Sequence, residues 1–356
     1  MTVLNIRTEF TDLLGEIEDE MRLVLGERDG HTKPLYEMLA YHLGIDKRDG
    51  PRAGKRIRPL LGLLVYQALT DDYKTALPGA AAVELGHNFS LVHDDIEDGD
   101  LERRHRPTLW ALWGVPLAIN AGDALFALSR LALYRLLENE EVSADRVLSL
   151  MRIYDETCLA LCEGQYLDIS FERRTDISLD EYHEMIGKKT AALLGASAQA
   201  GAILATDDKE TIDAFQRFGY DMGLAFQMAD DVKGTFWTSE ESGKATAGDV
   251  RKRKKTLPVV WAFEHASDED RGRLREIYAP RIRATDGAFA PDADPLLSDA
   301  EVAEVIAILE RSGARRHAEG EARRTRDRAL ATVAALPIAP ERRAELASLI
   351  ETSIAV

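Results

Sequence analysis

The sequence contains little cysteine and no long hydrophobic segment. Its two cysteines, Cys158 and Cys162, lie four positions apart in a helical pattern, and no second Cys or His pair has matching metal-site spacing. We interpret both as reduced thiols in the core of a cytoplasmic protein. No apolar run approaches the roughly 18 residues of a membrane-spanning helix, and the first residues lack a signal-peptide pattern. Stable membrane insertion is therefore not expected.

Acidic residues outnumber basic ones, and alternating strand patterns are scarce. The formal net charge is -17, from 45 Lys and Arg against 62 Asp and Glu, which argues against a nucleic-acid surface. Helical periodicity dominates and predicts an all-α protein of about a dozen helices. We interpret residues 1–356 as a single domain with exposed loops at 47–54 and near 280–297. A capping box at Ser298 and Glu301 closes the second loop.

The most informative segment is 91–100, at the end of the apolar run 80–92. It carries Asp94, Asp95 and Asp98. In a helix, Asp94 and Asp98 lie on one face, where carboxylates about 6 Å apart repel by roughly 3 kcal/mol at an effective dielectric of about 20. A hard divalent cation such as Mg2+ would relieve this repulsion, and Mg2+ usually shares oxygen ligands with phosphates.

Basic clusters accompany the acids of this segment and a second acidic pair. Asp230 and Asp231 share a helical face with Gln227. Any one basic cluster alone is better explained by surface ion pairs. The whole set, in a chain this acidic, suggests an anion held by cations and bridged by metal. The four clusters lie at 54–59, 102–107, 188–190 and 251–256.

Taken together, these segments resemble the trans-isoprenyl diphosphate synthase family, most closely its geranylgeranyl diphosphate synthases. They occur in the family order and cover nearly the whole chain. They are Gly54-Lys-Arg-Ile-Arg-Pro59, the segment 87–98, Arg103-Arg104, Asn120-Ala-Gly-Asp123, Gly164-Gln-Tyr-Leu-Asp168, Lys189-Thr190, Phe226-Gln-Met-Ala-Asp-Asp231 and Lys254-Lys-Thr-Leu-Pro258. The resemblance implies the isoprenoid synthase fold, a single large helical bundle around a central cavity, and a homodimer.

The resemblance also implies the reaction and its ligands. The enzyme would join isopentenyl diphosphate to dimethylallyl, geranyl or farnesyl diphosphate. Asp94, Asp98 and, across the cavity, Asp230 would hold Mg2+, about three ions with substrate bound. Asp95 and Asp231 would support these ligands.

The remaining residues of the implied site contact the substrates. Thr190 and Gln227 would turn oxygen dipoles toward the forming allylic cation. Without the surrounding motif, His87 would be better explained as a core histidine. The implied contacts are Arg103, Lys189 and Lys254 for the allylic diphosphate, and Lys55, Arg58, His87 and Arg104 for isopentenyl diphosphate.

Three departures from the family pattern accompany the resemblance. Gly234 stands where many members have a third Asp in the second motif, which weakens the case for full affinity at the third metal. Arg253 stands where a Gly often precedes the Lys. His105 and Trp110 replace a usual Gly and His.

Product length is predicted from the residues before the first acidic motif. Phe89 and Ser90 lie five and four positions before Asp94, and no insertion separates the acids of the motif. By resemblance this is a geranylgeranyl (C20) pattern, because a Phe ring fills space that a longer chain needs. Phe89 as ordinary core packing is the alternative.

Other functions stay open at this point. A farnesyl or geranylfarnesyl diphosphate synthase differs only in chain length. A terpene cyclase is disfavoured because the second diphosphate site would be unneeded. A regulatory subunit is disfavoured because five central Asp residues are retained.

Overall fold

The computed structural model describes residues 6–46, 54–237, 247–280 and 296–354. It is 80% helical with almost no sheet, which confirms the all-α prediction. In the first half of the chain the α-helices are α1 Ile6–Glu9, α2 Thr11–Leu25, α3 Lys33–Leu43, α4 Ile57–Thr70, α5 Leu77–Glu97, α6 Leu109–Trp113, α7 Val115–Tyr134 and α8 Ala144–Phe171.

Helices of the second half follow in the same way. They are α9 Leu179–Ile186, α10 Ala192–Ala205, α11 Lys209–Phe236, α12 Gly248–Arg251, α13 Leu257–His265, α14 Asp268–Tyr278, α15 Asp299–Arg311, α16 Ala314–Ala335 and α17 Pro340–Ser353. A π-helical segment, Gly187–Ala191, joins α9 to α10.

Local sequence signals explain where many of these helices begin. Prolines lie in the first turns of α3, α5, α7 and α13, where the missing N–H leaves no helical hydrogen bond unmade. The predicted capping box of Ser298 and Glu301 is confirmed at the start of α15, and Ser178 and Glu181 form another before α9. The predicted loops are outside the described residues at 47–53 and 281–295.

The chain divides into two compact units. Unit 1 comprises Met1–Cys158, Leu193–Gly219 and Thr332–Ser353, and unit 2 comprises Leu159–Ala192, Tyr220–Ala331 and Ile354–Val356. The interpretation of the chain as one domain stays a prediction.

Unit 1 is built around α5, which packs on α7, α4 and α2. Helix α4 is apolar around most of its circumference, and Leu60, Leu61 and Leu63 are fully buried. A Cβ at Gly201 of α10 would lie 2.3 Å from the carbonyl oxygen of Gly62. The two helices therefore approach backbone to backbone, and glycine is needed where they meet.

Among its described residues, unit 2 has two apolar clusters. One joins residues of α13, α14 and α15, including Leu274 and Val305. The other joins α9, α11, α13 and α16 and includes Tyr182 and Met228. These clusters fix the helices that carry the second acidic motif.

Unit 1 contains a short β-hairpin that the hydrophobic pattern of the sequence does not predict. Strand β1 (Glu102–Arg103) pairs antiparallel with β2 (Arg106–Pro107). The two loop residues, Arg104 and His105, have φ values of 54° and 59°. Positive φ at both positions is the type I′ geometry that favours Asn-Gly, which explains why a Gly is usual where this chain has His105.

Neither of the two cysteines forms a disulfide. Cys158 is buried, as predicted, but Cys162 is exposed, so the prediction of a core position is wrong for Cys162. Among the described residues, no helix is both long and apolar enough to cross a membrane.

Candidate active site

The first acidic motif lies at the carboxyl end of α5 in unit 1. Asp94 and Asp95 occupy its last turn and Asp98 caps it, so the predicted helical spacing is confirmed. Arg103 of the hairpin donates from Nε to Asp95 Oδ1 at 2.7 Å and from Nη2 to Asp94 Oδ2 at 3.3 Å. A cation predicted to bind substrate is thus paired here with the motif's own carboxylates.

Asp95 is the buried member of this motif, with 1% of its surface exposed. Burial raises its pKa to about 6, although Arg103 acts in the opposite direction. Its second oxygen, Oδ2, is buried and has no hydrogen-bond partner among the described residues. An orphaned carboxylate oxygen beside two further acids fits a hard cation such as Mg2+.

A basic cluster lies deeper in unit 1. Arg58 Nη1 is 3.2 Å from His87 Nε2. Burial lowers the pKa of His87 well below its usual value, and Arg58 and Arg104 lower it further. The imidazole is therefore neutral, and its Nε2 accepts from the guanidinium. Burial also lowers the pKa of Arg104 to about 10. Such a concentration of desolvated positive charge favours an anion.

Two neighbours of this cluster were not identified from the sequence. Arg56 lies inside the first basic segment but is buried, donating to Glu84 Oε1 at 2.6 Å and to the Leu43 carbonyl. It therefore has a structural role. His42 of α3 has a pKa lowered to about 3 by burial and by nearby arginines, and its Nε2 lacks a partner within the described residues. Lys55, by contrast, is exposed.

Phe89 lies on the same helix and is nearly buried. Its ring meets Phe126 of α7 edge to face at 5.1 Å and His93 at 6.0 Å. His93 Nε2 lies 3.3 Å from the Ile119 carbonyl, and a Cβ at Gly122 would lie only 2.3 Å from that nitrogen. The motif 120–123 thus makes room for His93, and Phe126 is a second ring that the sequence did not reveal. Ser90 Oγ donates to the carbonyl of His87 at 2.8 Å.

In unit 2, Asp231 is the buried member of the second acidic pair. It accepts hydrogen bonds from Tyr182 Oη at 2.8 Å, from the Leu257 N–H at 2.9 Å and from Gln227 Nε2 at 2.9 Å. Burial nevertheless raises its pKa to about 7. Asp231 therefore joins α9, α11 and α13, while Asp230 beside it is partly exposed.

Thr190 and Gln227 lie in hydrogen-bonding contact. Thr190 Oγ1 donates to Gln227 Oε1 at 2.8 Å, and the amide nitrogen of Gln227 is held by Asp231. The orientation of the amide is thus fixed from both ends. Lys189, next to Thr190 in the π-helical segment, forms an ion pair with Asp168. Short π-helical segments often occur at functional sites.

Lys254 follows a turn in which Arg253 takes the place of the Gly that is usual in the family. Arg253 is buried and has φ of 56°, the left-handed region that favours glycine. The Lys254 N–H donates to the carbonyl of Asp249 at 2.9 Å. A Cβ at Gly234 would lie 1.8 Å from Asp249 Oδ2, so this carboxylate occupies the space beside the glycine.

The described part of the chain contains no group of three or more His, Cys, Asp or Glu side chains arranged to hold a metal. The carboxylates present are nevertheless the oxygen ligands that Mg2+ prefers, and Mg2+ commonly completes its shell with substrate phosphates and water. The donor set therefore fits Mg2+ bound together with a diphosphate.

Comparisons with known proteins agree on one family. The polyprenyl synthetase family model matches residues 47–289. The (2E,6E)-farnesyl diphosphate synthase of Mycobacterium tuberculosis is 40% identical over 337 residues, covering 94% of this chain and 88% of that protein. The geranylgeranyl diphosphate synthase of the same organism is 42% identical over 240 residues, covering 66% and 67%.

Solved structures give the same result for the fold. Geranylgeranyl pyrophosphate synthetase from Pyrococcus horikoshii has a TM-score of 0.85 at 32% identity, covering 99% of this chain and 98% of that one. Polyprenyl synthetase from Streptomyces coelicolor has a TM-score of 0.81 at 34% identity, covering 98% of both chains.

Proposed function

The chain belongs to the polyprenyl synthetase family and is a trans-prenyltransferase, and from this premise we propose that it makes geranylgeranyl diphosphate. It would condense isopentenyl diphosphate with dimethylallyl, geranyl or farnesyl diphosphate. The observation that carries the C20 assignment is Phe89, nearly buried one turn before Asp94 and backed by Phe126. A farnesyl diphosphate synthase is the second candidate, because such a synthase is 40% identical over 94% of this chain.

The acidic residues would bind the metal. We assign Asp94, Asp98 and Asp230 as Mg2+ ligands, with Asp95 and Asp231 as the buried carboxylates that support them. When bound, Mg2+ neutralises the charge that develops on the departing pyrophosphate. The burial of Asp95 and Asp231, and the greater exposure of Asp94 and Asp230, support this division.

The basic residues would hold the two diphosphates. Arg103, Lys189 and Lys254 are assigned to the allylic diphosphate. Arg103 and Lys189 are paired with carboxylates, so substrate phosphate would compete for cations that are already positioned. The isopentenyl diphosphate would bind at Lys55, Arg58, His87 and Arg104. Neutral His87 accepts a hydrogen bond from Arg58 and so orients the guanidinium group of Arg58.

The remaining chemistry requires an oxygen-lined, water-poor site. Loss of the diphosphate leaves an allylic cation, which the alkene of isopentenyl diphosphate attacks. Thr190 Oγ1 and Gln227 Oε1 would place lone pairs near this cation. Apolar surroundings would exclude water that could trap it. The released pyrophosphate would accept the final proton.

The quaternary and cellular assignments belong to the same proposal. We assign a homodimer that associates through an exposed apolar face of α6 and α7. The residues of this dimer face are Leu112, Trp113, Leu117, Leu131 and Tyr134. The cytoplasmic location predicted from the cysteines stays a prediction.

The deciding experiment is incubation of the purified protein with Mg2+, isopentenyl diphosphate and each of the C5, C10 and C15 primers, followed by product sizing. A C20 product from all three primers supports the proposal. Products that stop at C15, with farnesyl diphosphate unused, favour the second candidate. Cyclised hydrocarbon formed without isopentenyl diphosphate would identify a cyclase, and inactivity of the chain alone a regulatory subunit.

A further inference from the structure

Three imidazoles, one carboxylate and one indole form a cluster in unit 2, on helices α9, α13 and α16. His183 of α9 and His317 of α16 both face Glu321, which lies one turn after His317. Trp261 and His265 of α13 complete the cluster by stacking. The reaction proposed for the candidate active site uses none of these five side chains.

Each oxygen of Glu321 faces a different imidazole. His183 donates from Nε2 to Oε1 at 2.8 Å. His317 Nε2 lies 2.9 Å from Oε2, yet this buried nitrogen has no aligned hydrogen-bond partner among the described residues. The carboxylate therefore binds α9 through a well-formed hydrogen bond. Its second contact is a close approach that a proton on His317 would turn into a charge-assisted hydrogen bond.

Stacking on Trp261 holds the ring of His317 in place. The two ring centroids lie 3.6 Å apart with planes at 12°, and His265 stacks on the same indole at 3.5 Å and 6°. Trp261 Nε1 is buried and has no hydrogen-bond partner in the described part of the chain. A cation over an aromatic face is stabilised electrostatically. The indole can therefore support His317 in its neutral and in its charged form.

The charged neighbours set the order in which the two imidazoles take up protons. The hydrogen bond to Glu321 raises the pKa of His183, whereas burial lowers the pKa of His317. The other charged or titratable groups that face the cluster are Asp180 of α9, Glu264 and His265 of α13, and Arg324 of α16. Near neutral pH, His183 thus carries the charge that pairs with Glu321, and acidification charges His317 only afterwards.

Helix α9 connects this cluster to the candidate active site. It has eight residues, and the π-helical segment follows it without a break. His183 therefore lies about two turns before Lys189 and Thr190. The neighbouring Tyr182 is fixed to Asp231, so loosening the contact of His183 would shift α9 locally and keep it in the fold.

We propose that Glu321 is a proton-controlled clamp on α9. When His317 takes up a proton from solvent, it competes with His183 for the carboxylate, and the hold of α16 on α9 weakens. Lys189 and Thr190 then lose part of their positioning, so condensation slows in mildly acidic solution. The clamp affects catalysis only if these two residues contact the substrate, and in that respect it rests on the proposed function.

The first test observes the imidazoles directly. Labelled histidine is followed by nuclear magnetic resonance between about pH 5 and 8, and His183→Gln and His317→Phe identify the two signals. We expect the His183 signal to shift a second time at the pH where His317 titrates, because both rings use one carboxylate. His317→Phe keeps a ring to stack on Trp261 but cannot be charged, so it should abolish that second shift.

The second test compares turnover at each pH. The kcat of a variant is divided by that of the unchanged protein at the same pH, so that titration of the substrates cancels. For His317→Phe we expect this ratio to rise about threefold or more between about pH 8 and about pH 5.5, because its clamp stays closed. Glu321→Gln should lower kcat near neutral pH, and its deficit should shrink toward acid, where the clamp of the unchanged protein opens as well.

His31→Gln is the control for both measurements. His31 is an exposed histidine of unit 1, so its replacement should leave the ratio constant and the His183 signal unaltered. Circular dichroism and melting temperatures at each pH establish that the variants are folded. A purely structural role of His317 would lower the melting temperature and leave the ratio independent of pH.

The outcomes separate the clamp from the proposed function. A protein that condenses nothing with isopentenyl diphosphate at any pH would contradict the proposed function, whereas the linked titration of His183 and His317 does not depend on catalysis. A His183 signal that ignores the titration of His317 would overturn the clamp. So would a constant kcat ratio for folded His317→Phe in a protein that does condense its substrates. If His317→Phe does not fold, the resonance titration of the unchanged protein and the kcat ratio of Glu321→Gln decide.

Discussion

Phe89 makes edge-to-face contacts with two other aromatic rings. Phe126 and His93 meet it at 5.1 Å and 6.0 Å, so the ring has little freedom to move away from a growing chain. We expect Phe89→Ala to shift the main product from C20 to C25 or longer, because truncation opens space for about one further isoprene unit. Chromatography of dephosphorylated products measures the shift.

The control for this change is Leu133→Ala. Like Phe89, Leu133 is buried, but it lies on α7, two turns beyond Phe126. Its truncation therefore loosens the unit 1 core without removing an aromatic ring. Its product length should stay unchanged. Unaltered length in Phe89→Ala would reduce Phe89 to ordinary packing.

A second prediction concerns two histidines that share Glu321. His183 Nε2 bonds Glu321 Oε1 at 2.8 Å, and His317 Nε2 lies 2.9 Å from Oε2. The bond to Glu321 raises the pKa of His183, whereas burial lowers the pKa of His317. The other charged or titratable neighbours are Asp180 for His183, and Arg324 and His265 for His317.

These opposite shifts give opposite pH effects on stability. The contribution of His183 is complete below its ordinary pKa of 6.5 and is lost as pH rises through its raised value. The contribution of His317 is complete above 6.5 and is lost as pH falls toward its lowered value. We expect His183→Gln to flatten the alkaline side of the stability curve and His317→Gln the acidic side. Melting temperatures between about pH 5 and 9 test this; identical curves for all three proteins would contradict it.

At this scale, the sequence predicts which residues form the candidate site but not how their side chains pair. Asp94, Asp95, Asp230 and Asp231 were identified from helical spacing and resemblance. Helical spacing does not reveal that Asp95 is buried and accepts a hydrogen bond from Arg103, because that contact depends on the hairpin. The approach of Asp249 to Gly234 is likewise absent from the helical spacing, because it depends on the turn before Lys254.

At the scale of elements, the close crossing of α8 and the π-helical segment positions Lys189. A Cβ at Gly164 would lie 2.3 Å from the backbone nitrogen of Lys189. Gly164→Ala should therefore displace the segment, lowering stability by about 1–3 kcal/mol and turnover by at least about tenfold. Urea denaturation and steady-state kinetics give the two values.

Gly272→Ala is the matched control in the same unit. Gly272 lies within α14, and a Cβ there would meet no atom within 4 Å. This change should raise stability by about 0.5–1 kcal/mol through helix propensity and leave turnover unchanged. Equal effects of the two substitutions would exclude a role for the crossing.

Element type was predictable where the hydrophobic period is long and regular. The capped, periodic helices were predicted, whereas the hairpin and the π-helical segment were not. A hairpin of two-residue strands has no measurable alternation, and its loop lacks the usual Asn-Gly. The π-helical segment differs from α-helix only in its hydrogen-bond register, which the apolar period does not report.

At the scale of the molecule, the dimer face predicts how the chain assembles. Leu131 is 57% exposed and Tyr134 is 50% exposed on α7. Leu131→Glu should weaken association at least about tenfold, because a buried unpaired charge is costly at an interface. Sedimentation equilibrium measures it. Leu23→Glu on α2, at a position equally exposed at 57%, should stay dimeric. A protein that is monomeric without any substitution would refute the homodimer.

The buried arginines and histidines lie within a chain of net charge -17. A diphosphate approaching from solution therefore meets a repulsive long-range field before it reaches Arg58, Arg104 and His87. Salt reduces the range of that field to about 8–10 Å at physiological ionic strength, whereas the nearby guanidinium groups still attract the diphosphate. The association rate of the diphosphate with the protein should therefore increase as salt is raised toward about 0.15 M. Electrostatic steering by an attractive field would give the opposite trend. Stopped-flow association rates would show it, and a monotonic decrease would contradict it. Ionic conditions would then set how quickly substrate is captured, independently of how tightly it is held.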